Sequence, residues 1–143
     1  MKSLLLFFLT MCLGIALPAQ ESADLIAVEE AVAQFSNAGD ERDTTQLESL
    51  LHPAFRTVVN RQFGSEEVSL MDKTLYLQLV KDEKIGGDQR KVHFLGVEVV
   101  GNNATVKALL IGSKLHFTSF FSLVKTAEGE WQIIGDFPHI EQA

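Results

Sequence analysis

Cysteine is almost absent from the sequence. Cys12 is the only one among the 143 residues, and it lies inside an apolar run from Leu4 to Ala16. A lipid-attachment signal needs a small residue just before the cysteine, whereas Met11 stands there and the apolar run continues beyond it. Removal of this N-terminal run leaves a chain without thiols. Disulfide bonds, thiolate catalysis and cysteine-ligated metal sites are therefore excluded for the mature protein.

The sequence has only one long apolar run, the one at its N-terminus. It follows the positive start at Lys2 and ends at Leu17-Pro18-Ala19, before the polar Gln20. The run is shorter than a membrane-spanning helix requires. We predict a cleaved signal peptide over residues 1–19 and one mature domain over 20–143, secreted or periplasmic, without lipid and without membrane contact after cleavage. The alternative is a buried N-terminal helix.

Positive charge is sparse. The sequence has 12 lysines and arginines against 19 acidic residues, a formal net charge of −7. The basic residues are scattered, and no run of them could follow a phosphate backbone. Nucleic acid is therefore excluded as a partner.

The histidines are few and far apart. None of them has the paired spacing on one helix or strand that is typical of metal ligands, and no acidic cluster lies beside them. They are His52, His93, His116 and His139. We expect no metal and no cofactor.

Three segments show the periodicity or boundary signals of helices. The first, Glu21 to Ala38, carries one apolar stripe, with Ser22 as its N-cap and Gly39 just after its last turn. The second begins with a capping box formed by Thr45 and Glu48 and ends before Pro53. The third is capped by Asp72, runs from Lys73 to about Glu83, and is ended by Gly86-Gly87.

The other segments have the alternation or the β-branched and aromatic content of strands. A strand pair precedes the third helix, and four strands joined by short turns follow it. The predicted strands are Phe55 to Arg61, Glu67 to Met71, Arg90 to Val100, Ala104 to Gly112, Leu115 to Lys125 and Trp131 to Phe137. Gly96 lies where the apolar parity of its strand changes, which predicts a β-bulge. The order of elements predicts an α+β domain with the helices on one face of an antiparallel sheet.

Several stretches, in this order, resemble the nuclear transport factor 2-like superfamily, and within it the group named putative lumazine-binding proteins. They are Gly39-Asp40, Leu47 and Leu50 to Phe55, then Met71-Asp72-Lys73 and Tyr76-Leu77, then Phe117 to Lys125 and Gly129 to Ile134. The resemblance implies a cystatin-like cone: a curved antiparallel sheet packed on three helices, with a pocket at the open end. It also implies binding of a small apolar or aromatic molecule there.

Strand parity and the pocket position in that superfamily together predict a set of ligand-binding residues. The set is Phe55, Tyr76, Phe94, Phe117, Ser119 and Trp131. Relatives often have an aspartate at the position of Ser119, and a serine cannot act as a carboxylate base. For Trp131, packing in the core is the alternative.

We expect no catalysis, although an isomerase, dehydratase or cyclase on the same scaffold remains an alternative. By analogy with ketosteroid isomerase, such an enzyme would use Tyr76 as a donor and Asp136 or His116 as a base. Strand parity points both candidate bases away from the pocket, because Phe117 and Ile133 on their strands face inward. A further alternative is a structural or interaction module whose cone is filled by its own side chains.

The outer face of the sheet carries apolar residues where an antiparallel sheet usually has polar ones. Such a patch predicts a homodimer joined through this face. Its residues are Leu109, Ile111, Phe120, Val124 and Ile134. The alternative is that the C-terminal segment from Pro138 folds back over part of the patch.

Overall fold

The computed structural model describes residues 16–143, with side chains from residue 19 onward. Three helices and six strands follow one another in the order predicted from the sequence. They are α1 (Ala16–Glu41), α2 (Thr44–Leu50), β1 (Leu51–Asn60), β2 (Val68–Asp72), α3 (Lys73–Lys81), β3 (Lys91–Val100), β4 (Asn103–Ile111), β5 (Leu115–Lys125) and β6 (Trp131–Gln142).

The six strands form one curved sheet in the order β2-β1-β6-β5-β4-β3. Neighbouring strands are antiparallel, as predicted, except that β1 and β6 run parallel. The parallel pair joins the first strand of the domain to the last. A parallel pair needs a long connection, and here the connection is the chain from β2 to β5. The α+β class and the sheet over three helices are confirmed.

The core lies between α1 and the concave face of the sheet. From α1, the side chains of Val28, Val32 and Phe35 are buried. They pack with the inward-facing residues of α2, β1 and the long strands, which alternate with exposed ones as a half-buried sheet requires. These partners are Leu47, Leu51, Phe55, Val106, Ala108, Leu110, Phe121, Leu123 and Ile133.

The first helix is longer than predicted at both ends. It begins at Ala16, so Ser22 lies inside the helix and is not its N-cap. Gly39 belongs to the last turn, and the left-handed residue that follows the helix is Arg42, with φ of 56°. The predicted signal peptide lies mainly in residues 1–15, outside the described residues. Among the helices of residues 16–143, none is long and apolar enough to cross a membrane.

The caps of the two short helices are clear. Asp72 caps α3 as predicted, since its carboxylate accepts a hydrogen bond from the Leu75 amide at 2.8 Å. The cap of α2 is Asp43, not Thr45, because the Asp43 carboxylate accepts from the Gln46 amide at 3.0 Å. Pro53 lies inside β1, after α2 has already ended.

Two β-bulges interrupt the antiparallel pairs of the sheet, and the parallel pairing of β1 with β6 is also irregular, between Leu51 and Arg56. The first was predicted: pairing between β3 and β4 skips Leu95, beside Gly96. The second was not: pairing between β5 and β6 passes from Ile133 to Gly135 and skips Ile134. An extra residue reverses the facing of every side chain after it. As a result Asp136 is buried and Phe137 is exposed, the opposite of the sequence prediction.

Candidate functional site

A cavity of about 310 Å³ opens between the concave face of the sheet and the helices. This volume lies at the lower end of the range of small-molecule sites, about 300–1,000 Å³. Most of its wall is apolar or aromatic. The wall includes Phe35 of α1, Tyr76 of α3, Val59 and Met71 of the strand pair, and Leu110, Leu115, Phe117, Phe121, Pro138 and Ile140 of the long strands.

Asp136 is the buried acidic group of this mostly apolar wall. It is 8% exposed, and the Thr57 hydroxyl donates to its backbone oxygen at 3.2 Å and to its Oδ2 at 3.4 Å. Its Oδ1 is buried and has no hydrogen-bond partner among the described residues. Burial raises the pKa of Asp136 to about 7, against the opposing effect of the Ser119 and Thr57 hydroxyls and the Arg90 charge. The cavity therefore contains a carboxyl group that is protonated or ionised according to pH near neutrality.

Tyr76 brings a phenol to the same cavity from α3. Its ring stacks on Phe35 with centroids 5.9 Å apart and meets Phe55 edge-on at 5.5 Å. Burial raises the pKa of Tyr76, and the Asp136 charge acts in the same direction. The phenol is therefore a neutral group that can donate a hydrogen bond to a ligand oxygen.

Arg90 also lines the cavity, but its charge is matched. The guanidinium pairs with the Asp40 carboxylate, and the two side chains are 10% and 6% exposed. Arg90 also donates to the Ser36 carbonyl at 3.0 Å and lies over the Phe117 ring at 5.4 Å from its centroid. The pair fixes the start of β3 against the end of α1.

Asp88 holds together two loops at the mouth. Its Oδ1 accepts from the Ser113 amide at 3.0 Å and the Ser113 hydroxyl at 2.7 Å, and its Oδ2 from the amides of Lys114 and Leu115 at 3.0 and 3.3 Å. Burial alone would raise the pKa of Asp88, but these hydrogen bonds outweigh it and lower the pKa to about 2. The carboxylate is thus ionised and occupied by the protein itself.

The remaining mouth residues are exposed. Lys84 comes from the loop between α3 and β3, and Lys114 from the loop between β4 and β5. Phe63, on the β1–β2 loop, has φ of 53° and is 71% exposed while it lines the opening. The mouth thus combines two lysines and an exposed aromatic ring.

The sequence model of the family described as "Putative lumazine-binding" matches residues 23–137. The chain belongs to this family. A search of proteins with curated functions gave no match.

Solved structures show that this member of the family has the nuclear transport factor 2-like fold. One relative, an NTF-2-like protein of unknown function from Silicibacter pomeroyi, has a TM-score of 0.73 at 18% identity over 84% of this chain and 98% of its own. A similar protein from Shewanella baltica has a TM-score of 0.73 at 17% identity, over 85% and 97%. A ketosteroid isomerase-like protein from Erwinia carotovora atroseptica has a TM-score of 0.65 at 13% identity, over 83% and 95%. The predicted family and the predicted fold are confirmed.

The structure brings together half of the predicted ligand-binding set. Tyr76, Phe117 and Ser119 line the cavity, and the Ser119 side chain faces inward as predicted. Phe55 lies behind Tyr76 in the core, and Phe94 packs against the core from β3.

Trp131 lies apart from the cavity. Its indole donates to the Asp24 Oδ1 at 3.2 Å, and the Lys125 ammonium donates to the same oxygen at 2.7 Å. Lys125 also lies over the Trp131 ring, 5.7 Å from its centroid. These contacts fasten α1 to the β5–β6 hairpin. Trp131 itself is buried and belongs to the core, as the alternative for this residue held.

Asp136 is the buried cavity residue that the parity argument missed. The prediction that it faces outward is wrong, because the bulge at Ile134 lies between Ile133 and Asp136. A signal was present: Gly135 follows the bulged residue as Gly96 follows Leu95, and a glycine inside a strand often marks a bulge. His116, the other candidate base, is half-buried on β5 and does not line the cavity. Within residues 16–143 no group of histidines and carboxylates is arranged to hold a metal ion.

Proposed function

We propose that the protein binds a small apolar or aromatic molecule in the cavity and holds it without chemical change. The observation that carries this proposal is the buried Oδ1 of Asp136, which has no hydrogen-bond partner among the described residues and lies in a wall that is mostly apolar. Burying a polar atom without a partner costs about 1–3 kcal/mol. A ligand that supplies the missing hydrogen bond removes that cost, while its rings cover the aromatic wall.

Native mass spectrometry of protein purified from its source tests this function. We expect a bound small molecule that is lost on denaturation. Ile140→Trp should fill the half-buried mouth side of the cavity and abolish binding, whereas Val100→Trp, at an exposed site outside the cavity, should not. A wild-type protein that carries no ligand and binds none of the naphthalene compounds described below would contradict the proposal.

A second candidate function is proton transfer at carbon, for which Asp136 would be the base and Tyr76 the donor to a ketone oxygen. Its support is the pKa of Asp136, which burial raises to about 7, because a general base works best when its pKa is near the working pH. The similarity to a ketosteroid isomerase-like protein is at the level of fold and adds no residue roles.

Hydrogen exchange at C1 of 2-tetralone in D₂O distinguishes the two functions. An enzyme would accelerate this exchange, the rate would rise with pH towards a plateau above about 7, and Asp136→Asn would abolish it. Tyr76→Phe should reduce the rate without changing the pH midpoint. Exchange at the buffer rate with bound 2-tetralone would leave binding as the function.

We also propose that the protein is exported after cleavage near Gln20. The apolar run after Lys2 supports this, and cleavage would remove the first turn of α1, which begins at Ala16. N-terminal sequencing of the protein from its source should give a start near Gln20. A start at Met1, or a modified Cys12, would contradict the proposal.

We also propose that the protein forms a homodimer through the outer face of its sheet. Its support is the row of apolar residues on that face, in which Phe120 and Phe137 lie side by side and are 49% and 48% exposed. This face is opposite the cavity, so pairing would leave the mouth open.

A further inference from the structure

The mouth of the cavity carries two lysines, Lys84 and Lys114, that form no ion pair with a carboxylate of the described residues. Lys84 and Lys114 line the cavity and are exposed. Two lysines without an ion pair at one opening stand out in a chain whose net charge is −7.

The other charged groups along the wall cancel only part of the lysine charge, because the ionised Asp88 offsets one of the two positive charges and leaves the mouth with a net charge of +1. Arg90 and Asp40 neutralise each other in a buried pair. Both oxygens of Asp88 are turned towards the Ser113–Leu115 segment, from which they accept four hydrogen bonds. The same bonds tie the Lys84 loop to the Lys114 loop, so the two lysines are carried on one connected side of the mouth.

The inner end of the cavity requires a hydrogen-bonding group, not a negative charge. There the Oδ1 of Asp136 is buried and has no hydrogen-bond partner among the described residues, and burial raises the pKa of this carboxyl group to about 7. A hydroxyl group suits both states, because it accepts from the protonated carboxyl and donates to the ionised one. Between the two ends the wall is aromatic and aliphatic.

We propose that the ligand is a small ring compound with an acidic group at one end and a hydroxyl or keto oxygen at the other. The acidic group pairs with Lys84 and Lys114 at the mouth, the rings lie against Phe117 and Tyr76, and the oxygen meets Asp136 at the inner end. This inference rests on the proposed binding function and adds the chemical class of the ligand.

Three naphthalene compounds test the two ends separately by titration calorimetry. 6-Hydroxy-2-naphthoate has both groups, 2-naphthol lacks the carboxylate, and 2-naphthoate lacks the hydroxyl. Exposed ion pairs are worth about 0.2–1 kcal/mol each, so two of them should make 6-hydroxy-2-naphthoate bind about two- to thirtyfold more tightly than 2-naphthol. This advantage should shrink as salt is added, while the affinity for 2-naphthol stays constant.

Lysine variants locate the charge effect. Lys84→Gln with Lys114→Gln should remove the advantage of 6-hydroxy-2-naphthoate and leave 2-naphthol binding unchanged. The matched control, Lys81→Gln with Lys107→Gln, changes two exposed lysines that do not line this cavity and should leave both affinities as in the wild type. Asp136→Leu should remove the advantage of 6-hydroxy-2-naphthoate over 2-naphthoate.

The outcomes separate this inference from the function on which it rests. If 2-naphthol binds and the carboxylate adds nothing, or if the Lys84/Lys114 variant keeps the advantage, the anionic class is wrong and the binding function stands. If none of the three compounds binds the wild type, or if all bind Ile140→Trp equally well, the binding function is wrong and the ligand class falls with it.

Discussion

Asp136 is the residue whose environment differs most from what its chemistry prefers. A carboxyl group in an apolar cavity loses the hydration that favours its ionised form, and burial therefore raises its pKa from 3.8 to about 7. The Thr57 and Ser119 hydroxyls offset only part of this cost. Perturbed groups of this kind concentrate at functional sites.

The raised pKa predicts how stability depends on pH. The folded state holds the Asp136 proton up to about pH 7, whereas the unfolded chain releases it near 3.8. The stabilising contribution of this group is therefore fully present below pH 3.8 and is lost as the pH rises towards 7. Each pKa unit corresponds to about 1.4 kcal/mol, so the total loss is up to about 4 kcal/mol.

Urea unfolding of the wild type and Asp136→Asn between pH 4 and 8 measures this effect. Asparagine has no proton to lose, so the free energy of unfolding of the variant should decrease less with rising pH. The two curves should separate mainly between pH 4 and 7. Parallel curves across that range would show that Asp136 is not buried in a protonated form.

Gly112 is a residue where one methyl group should matter. A Cβ there would collide with the Asp88 Oδ2 and lie 2.9 Å from the Leu115 carbonyl oxygen. We expect Gly112→Ala to lower the free energy of unfolding by about 1–3 kcal/mol, because the carboxylate must leave its hydrogen bonds. Gly96→Ala is the matched control, since a Cβ at Gly96 meets nothing within 4 Å.

A double-mutant cycle in urea tests the cause of that loss. In the Asp88→Ala background the obstacle is gone, so Gly112→Ala should cost less there than in the wild type. Equal costs in the two backgrounds would show that Asp88 is not what the new methyl group meets.

The Asp88 carboxylate also makes stability depend on pH, because its hydrogen bonds lower its pKa to about 2. Its stabilising contribution is fully present above pH 3.8 and is lost as the pH falls towards 2.

At the scale of helices and strands, local signals predicted the elements better than their ends. Asp72 was correctly identified as a cap because a helix start is fixed by the residues next to it. Ser22 was not a cap, because α1 continues to Ala16 on the far side of it. The bulge at Gly96 was visible as a change of parity, whereas at Ile134 two adjacent isoleucines concealed the change. The orientation of Asp136 depended on that single extra residue.

The Asp40–Arg90 pair joins two elements, the end of α1 and the start of β3. Removing one member of a buried pair leaves an uncompensated charge and costs about 3–5 kcal/mol. We expect Asp40→Ala and Arg90→Ala each to reduce the free energy of unfolding by about this amount, and the double variant to lose less than their sum. Urea unfolding of the four proteins gives the coupling energy.

An exposed pair serves as the comparison. Arg42 and Glu83 approach to 3.8 Å with side chains 34% and 74% exposed, so Glu83→Ala should change stability by less than about 1 kcal/mol. If Asp40→Ala costs no more than Glu83→Ala, the buried pair does not fasten α1 to β3.

At the scale of the whole molecule, the sequence predicted the class of fold but not the pairing of the first strand with the last. The parallel contact between β1 and β6 joins residues about eighty positions apart, such as Thr57 and Asp136. Local periodicity carries no information about such a pairing. The same contact brings the Thr57 hydroxyl to Asp136, so the polar centre of the cavity could not be assembled from strand patterns alone.

The outer face of the sheet is more mixed than the sequence prediction suggested. Phe120 lies between Lys107 and Phe137, and the Lys107 ammonium lies 5.4 Å from the centre of the Phe120 ring. Towards the end of β4, the partners opposite Leu109 and Ile111 on β5 are polar, Thr118 and His116. The C-terminal segment does not fold back over this face, because β6 continues to Gln142 alongside β5.

The last prediction is that this face joins two copies of the chain. A stable two-fold interface buries about 1,200–2,000 Å² with an apolar centre and a polar rim, and the Phe120–Phe137 row with its polar neighbours has that arrangement. Light scattering at micromolar concentration should give a dimer for the wild type and a monomer for Ile111→Asp with Phe120→Asp. Ile26→Asp is the control, because Ile26 is 59% exposed on α1, away from the sheet. A wild-type monomer, or a dimer that survives the double change, would show that copies of the chain do not pair through this face.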